Sequence, residues 1–166
     1  MADQDTKAVE KHLRSLIKGD VEFDDISRLY ATDAGLNQIE PLGVVSPRDA
    51  EDVVRLVEYG AENSLSLVPR GMGSGLAGAA VGAGIQVDFT RYMNRILEVA
   101  PDGSWARVQP GVVLASLNQH LKGYGSFFAP RSLQRELLQP GGHDRHQLLR
   151  GPYRGIRQDN RSRTGT

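Results

Sequence analysis

A chain of 166 residues, 39% of them hydrophobic, can build one domain with a sizeable core but hardly two, and it holds no apolar run near the roughly 20 residues of a membrane span. The complete lack of cysteine excludes disulfides, thiolate zinc sites, iron–sulfur ligation and a cysteine nucleophile within these residues. The formal charge of zero hides an asymmetry: up to Pro130 four Lys and eight Arg face 17 acids, a balance of −5, and from Arg131 onward eight Arg face 3 acids, a balance of +5.

The opening, Met1–Gly19, is acidic and then mixed, without the basic region and apolar stretch of a secretion signal, so a cytoplasmic location is the expectation. Ala8, Leu13, Leu16 and Ile17 mark one face of a helix that Gly19 stops. The segment from Arg28 is irregular until Leu42–Val45, which reads as a short strand. Ser46 as cap and Pro47 in the first turn, with Asp49, Glu51 and Asp52 at the positive end of the dipole, predict a second helix. Its buried stripe is expected at Val53, Val54, Val57 and Ala61, and its end near Asn63. Strands follow at Leu65–Val68 and Ile85–Phe89. Ile96–Val99 and Trp105–Gln109 read as a hairpin turning at Pro101, Asp102 and Gly103. A helix over Val112–Leu121 and a strand at Phe127–Phe128 complete a β-α-β unit, a glycine-rich loop, a small mixed sheet, a helix and a strand. The class is α+β, not a regular alternation.

The loop lies within "LVPRGMGSGLAGAAVGAGIQVDF", Leu67–Phe89. Gly73, Gly75 and Gly78 satisfy GxGxxG, the dinucleotide fingerprint, but that motif opens a crossover helix of about 10 residues or more. Only Leu76–Gly84 separate Gly75 from the next strand, and Gly78, Gly82 and Gly84 would each cost a helix about 1 kcal/mol. A Walker loop is excluded because no Lys-Ser or Lys-Thr follows. What remains is either a flexible surface loop or a nest of inward-turned N–H groups suited to a pyrophosphate, with Arg70 adding charge and Ser74 a hydroxyl.

"VPRGMGSGLAG", then "VDFTRYMNRILEV", then "ARVQPGVVLASLN" together resemble the first half of the vanillyl-alcohol-oxidase-type flavin domain, the PCMH-type FAD domain. The branch it resembles contains D-lactate and D-2-hydroxyglutarate dehydrogenases and the glycolate oxidase flavoprotein subunit. The resemblance implies FAD as cofactor, a 2-hydroxy acid as substrate of an intact relative, and three segments: a helical extension over 1–28, a partial FAD domain over 29–130 and a tail over 131–166. It implies that Pro69, Arg70, Gly71, Met72, Gly73, Ser74, Gly75, Leu76, Ala77 and Gly78 wrap the pyrophosphate. Gln109, Pro110, Gly111 and Val112 would lie along the cofactor through their backbone, at a helix start that favours anions. Gly75 stands where Ser is more common. Ser74 is not a histidine, which argues against a covalent flavin link there. Asp88, Met93 and Asn94 match the family as structural residues, and the catalytic groups of the family come from a later domain, so no catalytic residue is assigned.

After "FFAP" the tail departs from the family, whose second flavin-contacting segment has the form "GGTIATNSSG". Gly141–Arg150, written as GGG GGG CAC GAT CGC CAC CAA CTC CTC CGG and read one nucleotide later, becomes GGTIATNSSG. The same shift turns Arg131–Arg135 into GASNA and Ile156–Asp159 into YGKT. The expectation is a frameshift near Pro130, leaving an unstructured tail and an inactive, weakly FAD-binding chain. The alternative is a non-enzymatic module that holds a phosphate ligand in the glycine loop and nucleic acid on the Arg-rich tail, although those arginines neither cluster nor interleave with aromatics beyond Tyr153. His143 and His146 lack the partners of a metal site, so no metal is expected. His12 and His120 read as solvated, Trp105 as a half-buried strand residue, and Asp24, Asp25, Glu51 and Asp52 as solvated faces and caps.

Overall fold

The computed structural model describes residues 3–128 and 156–158, and the chain divides into two units, Met1–Met93 and Asn94–Thr166. Both mix helix with strand, the α+β class the residue pattern predicts.

The first unit runs α1 (Asp3–Leu16), β1 (Asp20–Glu22), a 3₁₀ helix (Asp25–Tyr30), β2 (Gly43–Ser46), α2 (Ala50–Glu62), β3 (Leu67–Arg70) and β4 (Ile85–Asp88). The sheet order is β1-β2-β4-β3, with β1 antiparallel to β2 and the other pairs parallel. Side chains alternate across a strand. Val45, Ile85 and Val87 therefore face one way, into a core with Leu13, Ile17, Val21 and Leu56. Leu13 and Ile17 of the N-terminal helix belong to that core, so α1 is built into the unit.

α2 corrects two expectations. It starts at Ala50, not Pro47, because Ser46 is still paired in β2 and Asp49 supplies the cap, its side chain accepting from the Asp52 N–H at 3.0 Å. Its inward stripe is Asp52, Leu56 and Gly60, whereas Val54 and Val57 are 54% and 53% exposed. The phase is set by Asp52, which is wholly buried and no solvated acid. Its carboxylate accepts the N–H groups of Lys18 (2.9 Å), Gly19 (3.0 Å) and Arg48 (2.9 Å), joining the exit of α1 to the entry of α2. β3 also begins later than expected: Leu65 N–H still bonds Gly60 O as the helix exits, and Ser64 sits at φ 54°. β1 was not foreseen from the residue pattern.

On the opposite face of the sheet Val44, Gln86 and Val68 lie side by side. Gln86 is 0% exposed, and neither its Oε1 nor its Nε2 has a partner among the described residues. An unpartnered buried amide costs on the order of 1–3 kcal/mol. Gln86→Met, which keeps the shape and removes the polar atoms, is expected to raise the melting temperature by a few degrees; a lower value would show that the amide is satisfied after all.

The second unit holds the hairpin β5 (Ile96–Val99) and β6 (Ala106–Val108), then α3 (Leu114–Leu121), β7 (Ser126–Phe128) and β8 (Ile156–Gln158). The hairpin turns where Pro101, Asp102 and Gly103 predict it, with Gly103 at φ 68°. Val112, Leu117 and Leu121 form the core, flanked by Ile96, Val99, Ala106, Val108 and Phe128. Of the segment expected to lack structure, only Ile156–Gln158 is described, as a strand antiparallel to β7. The other residues after Phe128, including His143 and His146, lie outside the described residues.

Candidate functional site

The residues between β3 and β4 form no helix; the chain from Gly71 to Gly84 is loop throughout. Gly73 and Gly78 take φ of 68° and 75°, the left-handed region that disfavours a side chain. This loop does not stand alone. It is clasped by a turn over Thr32–Asn37, a stretch that looked irregular in the sequence.

Asp33 is the centre of that turn. Its Oδ1 accepts the Gly35 N–H at 2.8 Å; its Oδ2 accepts the Gly78 N–H at 2.9 Å and Asn37 Nδ2 at 3.0 Å. The N–H of Ala34 reaches two loop carbonyls, Gly73 O at 3.0 Å and Gly75 O at 3.2 Å, and Asn37 Nδ2 also donates to Leu76 O at 3.2 Å. Gly35 permits the approach, since a Cβ there would lie 2.7 Å from Leu76 O.

These bonds fix the direction of the loop amides. Among the described residues no peptide is cis, and a trans peptide points the C=O of one residue opposite to the N–H of the next. With the carbonyls of Gly73, Gly75 and Leu76 turned toward the clasp, the N–H groups of Ser74, Leu76 and Ala77 are turned away from it. No acceptor among the described residues takes them. The Ser74 hydroxyl is likewise without a partner among those residues.

Arg70, at the end of β3, turns into the loop. Its guanidinium runs into the loop, donating from Nη1 to Ala80 O (2.8 Å) and Tyr30 O (3.2 Å) and from Nη2 to Thr32 O (3.0 Å), and it lies over the Tyr30 ring at 5.2 Å. A Cβ on Gly73 would run into Arg70 Nη2. Among the described residues no carboxylate pairs with this half-buried cation. Burial pulls its pKa below the usual guanidinium range, against the pull of Tyr30, Asp88 and Asp33. An anion above the loop would therefore favour its charge.

Asp88 is committed elsewhere. Tyr30 Oη donates to its Oδ2 at 2.7 Å and the Thr90 N–H to its Oδ1 at 2.7 Å, so it is no free acid for a ribose. Burial first, and then the bond to Asp88, push the Tyr30 phenol well above its usual value, which keeps it a neutral donor. The Rossmann alternative fails here on two counts, the missing helix and the occupied acid.

In the second unit Gln109 anchors the hairpin: its N–H donates to Arg95 O and its side-chain Oε1 accepts from Arg95 N–H, both at 2.9 Å. Gly111 and Val112 are buried, Val112 in the core, which leaves main-chain atoms as what Val112 can offer a ligand. The helix that follows, α3, has no side-chain cap at Val113. A shallow depression lined by Ile96, Ala115, Ser116, Gln119, His120 and Gly123 shares no residue with Gln109–Val112. Among the described residues there is no cluster able to hold a metal, and no helix long and apolar enough to cross a membrane.

A glycine loop between the parallel strands β3 and β4, followed along the chain by a hairpin and a helix, is the arrangement these residues adopt. Residues 41–142 match the FAD binding domain family model, and the chain belongs to that PCMH-type family of FAD-binding domains. It is 43% identical over 116 residues to the D-2-hydroxyglutarate dehydrogenase of Escherichia coli (strain K12), across 68% of this chain and 11% of that protein. It is 30% identical over 161 residues to the glycolate oxidase subunit GlcD of Bacillus subtilis (strain 168), across 93% of this chain and 34% of that one. The fold is also that of p-cresol methylhydroxylase with substrate bound, at a TM-score of 0.74 and 17% identity, over 87% of this chain and 30% of that one. The chain thus spans about a tenth of the length of the bacterial dehydrogenase it matches. FAD is the cofactor of this family of folds.

Proposed function

We propose that the main-chain N–H groups of Ser74, Leu76 and Ala77, with the Ser74 hydroxyl, receive the FAD pyrophosphate. The observation that carries this reading is a row of main-chain donors turned one way and left without an acceptor among the described residues, in a loop that Arg70 braces. Pro69, Arg70, Gly71, Met72, Gly73, Gly75 and Gly78 shape and brace the loop, and Gln109, Pro110, Gly111 and Val112 are the further residues proposed to contact FAD, through their backbone. Bound FAD supplies hydride acceptance from a hydroxyl-bearing carbon. The proposed substrate class for the whole protein is a small 2-hydroxy acid, since one relative is named for D-2-hydroxyglutarate and another for glycolate. No described residue is assigned a catalytic role.

Titration of the purified chain with FAD, followed by flavin fluorescence with ADP as competitor, tests this reading. Saturable quenching reversed by ADP is the expected result, and no binding of either overturns it. A Cβ on Gly75 would meet nothing within 4 Å, and its φ is not left-handed. Gly75→Ser is therefore expected to tighten FAD binding about threefold through one added hydroxyl. A weaker complex would place the phosphates elsewhere.

We further infer that the reading frame changes near Pro130, because permitted codons can be chosen for the three tail segments that give flavoprotein-like sequence in order when read one nucleotide later. In that case the family's second flavin-contacting segment is missing from this polypeptide, and FAD binding is weak and turnover absent. The family match itself runs on to residue 142, so the coding DNA decides. A second frame that does not continue as flavoprotein ends the idea.

A further inference from the structure

The segment matched by the family begins at residue 41, yet the bonds that orient the glycine loop come from residues before it. Resting on the reading of that loop as a diphosphate site, we infer that Asp33 is its positioning residue: the carboxylate sets the direction in which the amides of Ser74, Leu76 and Ala77 face.

The chain of contacts is short. Asp33 Oδ1 closes the turn on the Gly35 N–H, which presents the Ala34 N–H to the carbonyls of Gly73 and Gly75. Asp33 Oδ2 holds Asn37 Nδ2, which in turn takes Leu76 O. The same oxygen takes the Gly78 N–H, so the loop is pinned at its far end and Gly78 is withdrawn from the donors left for a ligand. One carboxylate thus governs three loop carbonyls and one loop amide.

A carboxylate beside a diphosphate site would ordinarily repel the ligand. Here its oxygens accept three donors, all from the clasp and the loop, which offset its charge. Burial pushes its pKa up, but the donors from Asn37, Gly35 and Gly78 outweigh this and hold it below the usual carboxylate value. Arg70, bonded to Thr32 O and Tyr30 O on either side of Ala31, ties the start of the same turn to the end of β3. Asp33 touches no ligand in this scheme; it acts through the backbone it orders.

The test measures dissociation constants of the full chain for FAD and for ADP, with denaturant midpoints for the same proteins. Asp33→Ala and Asp33→Asn are expected to weaken both ligands about tenfold or more, because an amide at this position must set its own N–H₂ against the Gly35 or Gly78 N–H. Asn37→Ala, at a half-buried residue outside the core, is expected to weaken both about threefold. Ile17→Val lowers stability from within the core and is expected to leave both affinities within about twofold of the parent. Should the parent bind while the Asp33 variants bind equally well, or lose affinity only as far as Ile17→Val does for the same loss of stability, the inference fails and the reading of the loop survives. Should the parent bind neither FAD nor ADP, both fail. If Asp33→Ala does not fold, Asp33→Asn and Asn37→Ala carry the comparison.

Discussion

Replacing Asp52 with alanine is expected to destabilise the first unit by about 3–5 kcal/mol, a large share of the 5–15 kcal/mol that holds a domain of this size together. The side chain is completely buried and accepts three main-chain N–H groups, from Lys18, Gly19 and Arg48. Truncation leaves those donors without acceptors between two packed helices, and each unsatisfied group costs about 1–3 kcal/mol. The main-chain N–H at position 52 survives the change and stays on Asp49 Oδ1, so the cap of α2 itself is kept. Urea unfolding followed by circular dichroism measures the effect, and a change below about 1 kcal/mol would mean that water replaces the carboxylate. Gly43, by contrast, lies against the Phe23 ring, so enlarging it disturbs packing and not hydrogen bonding.

The second large effect is expected at Gly73. Alanine there must adopt φ of 68°, which costs about 1–2 kcal/mol, and its Cβ runs into the guanidinium of Arg70. Moving that group aside breaks its bonds to Tyr30 O, Thr32 O and Ala80 O together. Gly73→Ala is therefore expected to weaken FAD binding on the order of a hundredfold. The fold should persist, because neither Gly73 nor Arg70 belongs to the core cluster of the first unit. Fluorescence titration beside a thermal melt separates the two; unchanged affinity would mean that the loop can be rebuilt around a different Arg70 rotamer. The contrast with Gly75, where a side chain meets open space, makes the pair a directional test of the same loop.

Much of this was legible in the residues because the signals were local. The glycines declared a loop without a helix, Ala8–Ile17 declared an amphipathic helix, and Pro101–Gly103 declared a hairpin. The phase of α2 was not legible, since three valines outcompete one aspartate in any reading by hydrophobicity, yet the buried acid faces inward while Val54 and Val57 face out and Val53 is only half-buried. The three donors that make this worthwhile come from Arg48 and from Lys18 and Gly19, more than 30 residues away. The clasp at Thr32–Asn37 was missed for a similar reason. Its polar residues satisfy a second loop some 40 residues further on, and only the Asp-Ala-Gly spacing of an Asx turn hinted at it. Gln86 gave no warning at all, because a polar residue in an alternating strand reads as solvent-facing.

Arg70 ends the parallel strand β3 and braces the loop in the same stroke, opposite Asp88 in the register. On the proposed reading, capture of a nucleotide by that loop is tied to the integrity of the sheet whose strand Arg70 ends. By mass action the whole unit then becomes harder to melt as free nucleotide accumulates, by about 2.7 kcal/mol at a concentration one hundred times the dissociation constant. In a cell, the lifetime of this polypeptide against proteases would rise and fall with its supply of cofactor.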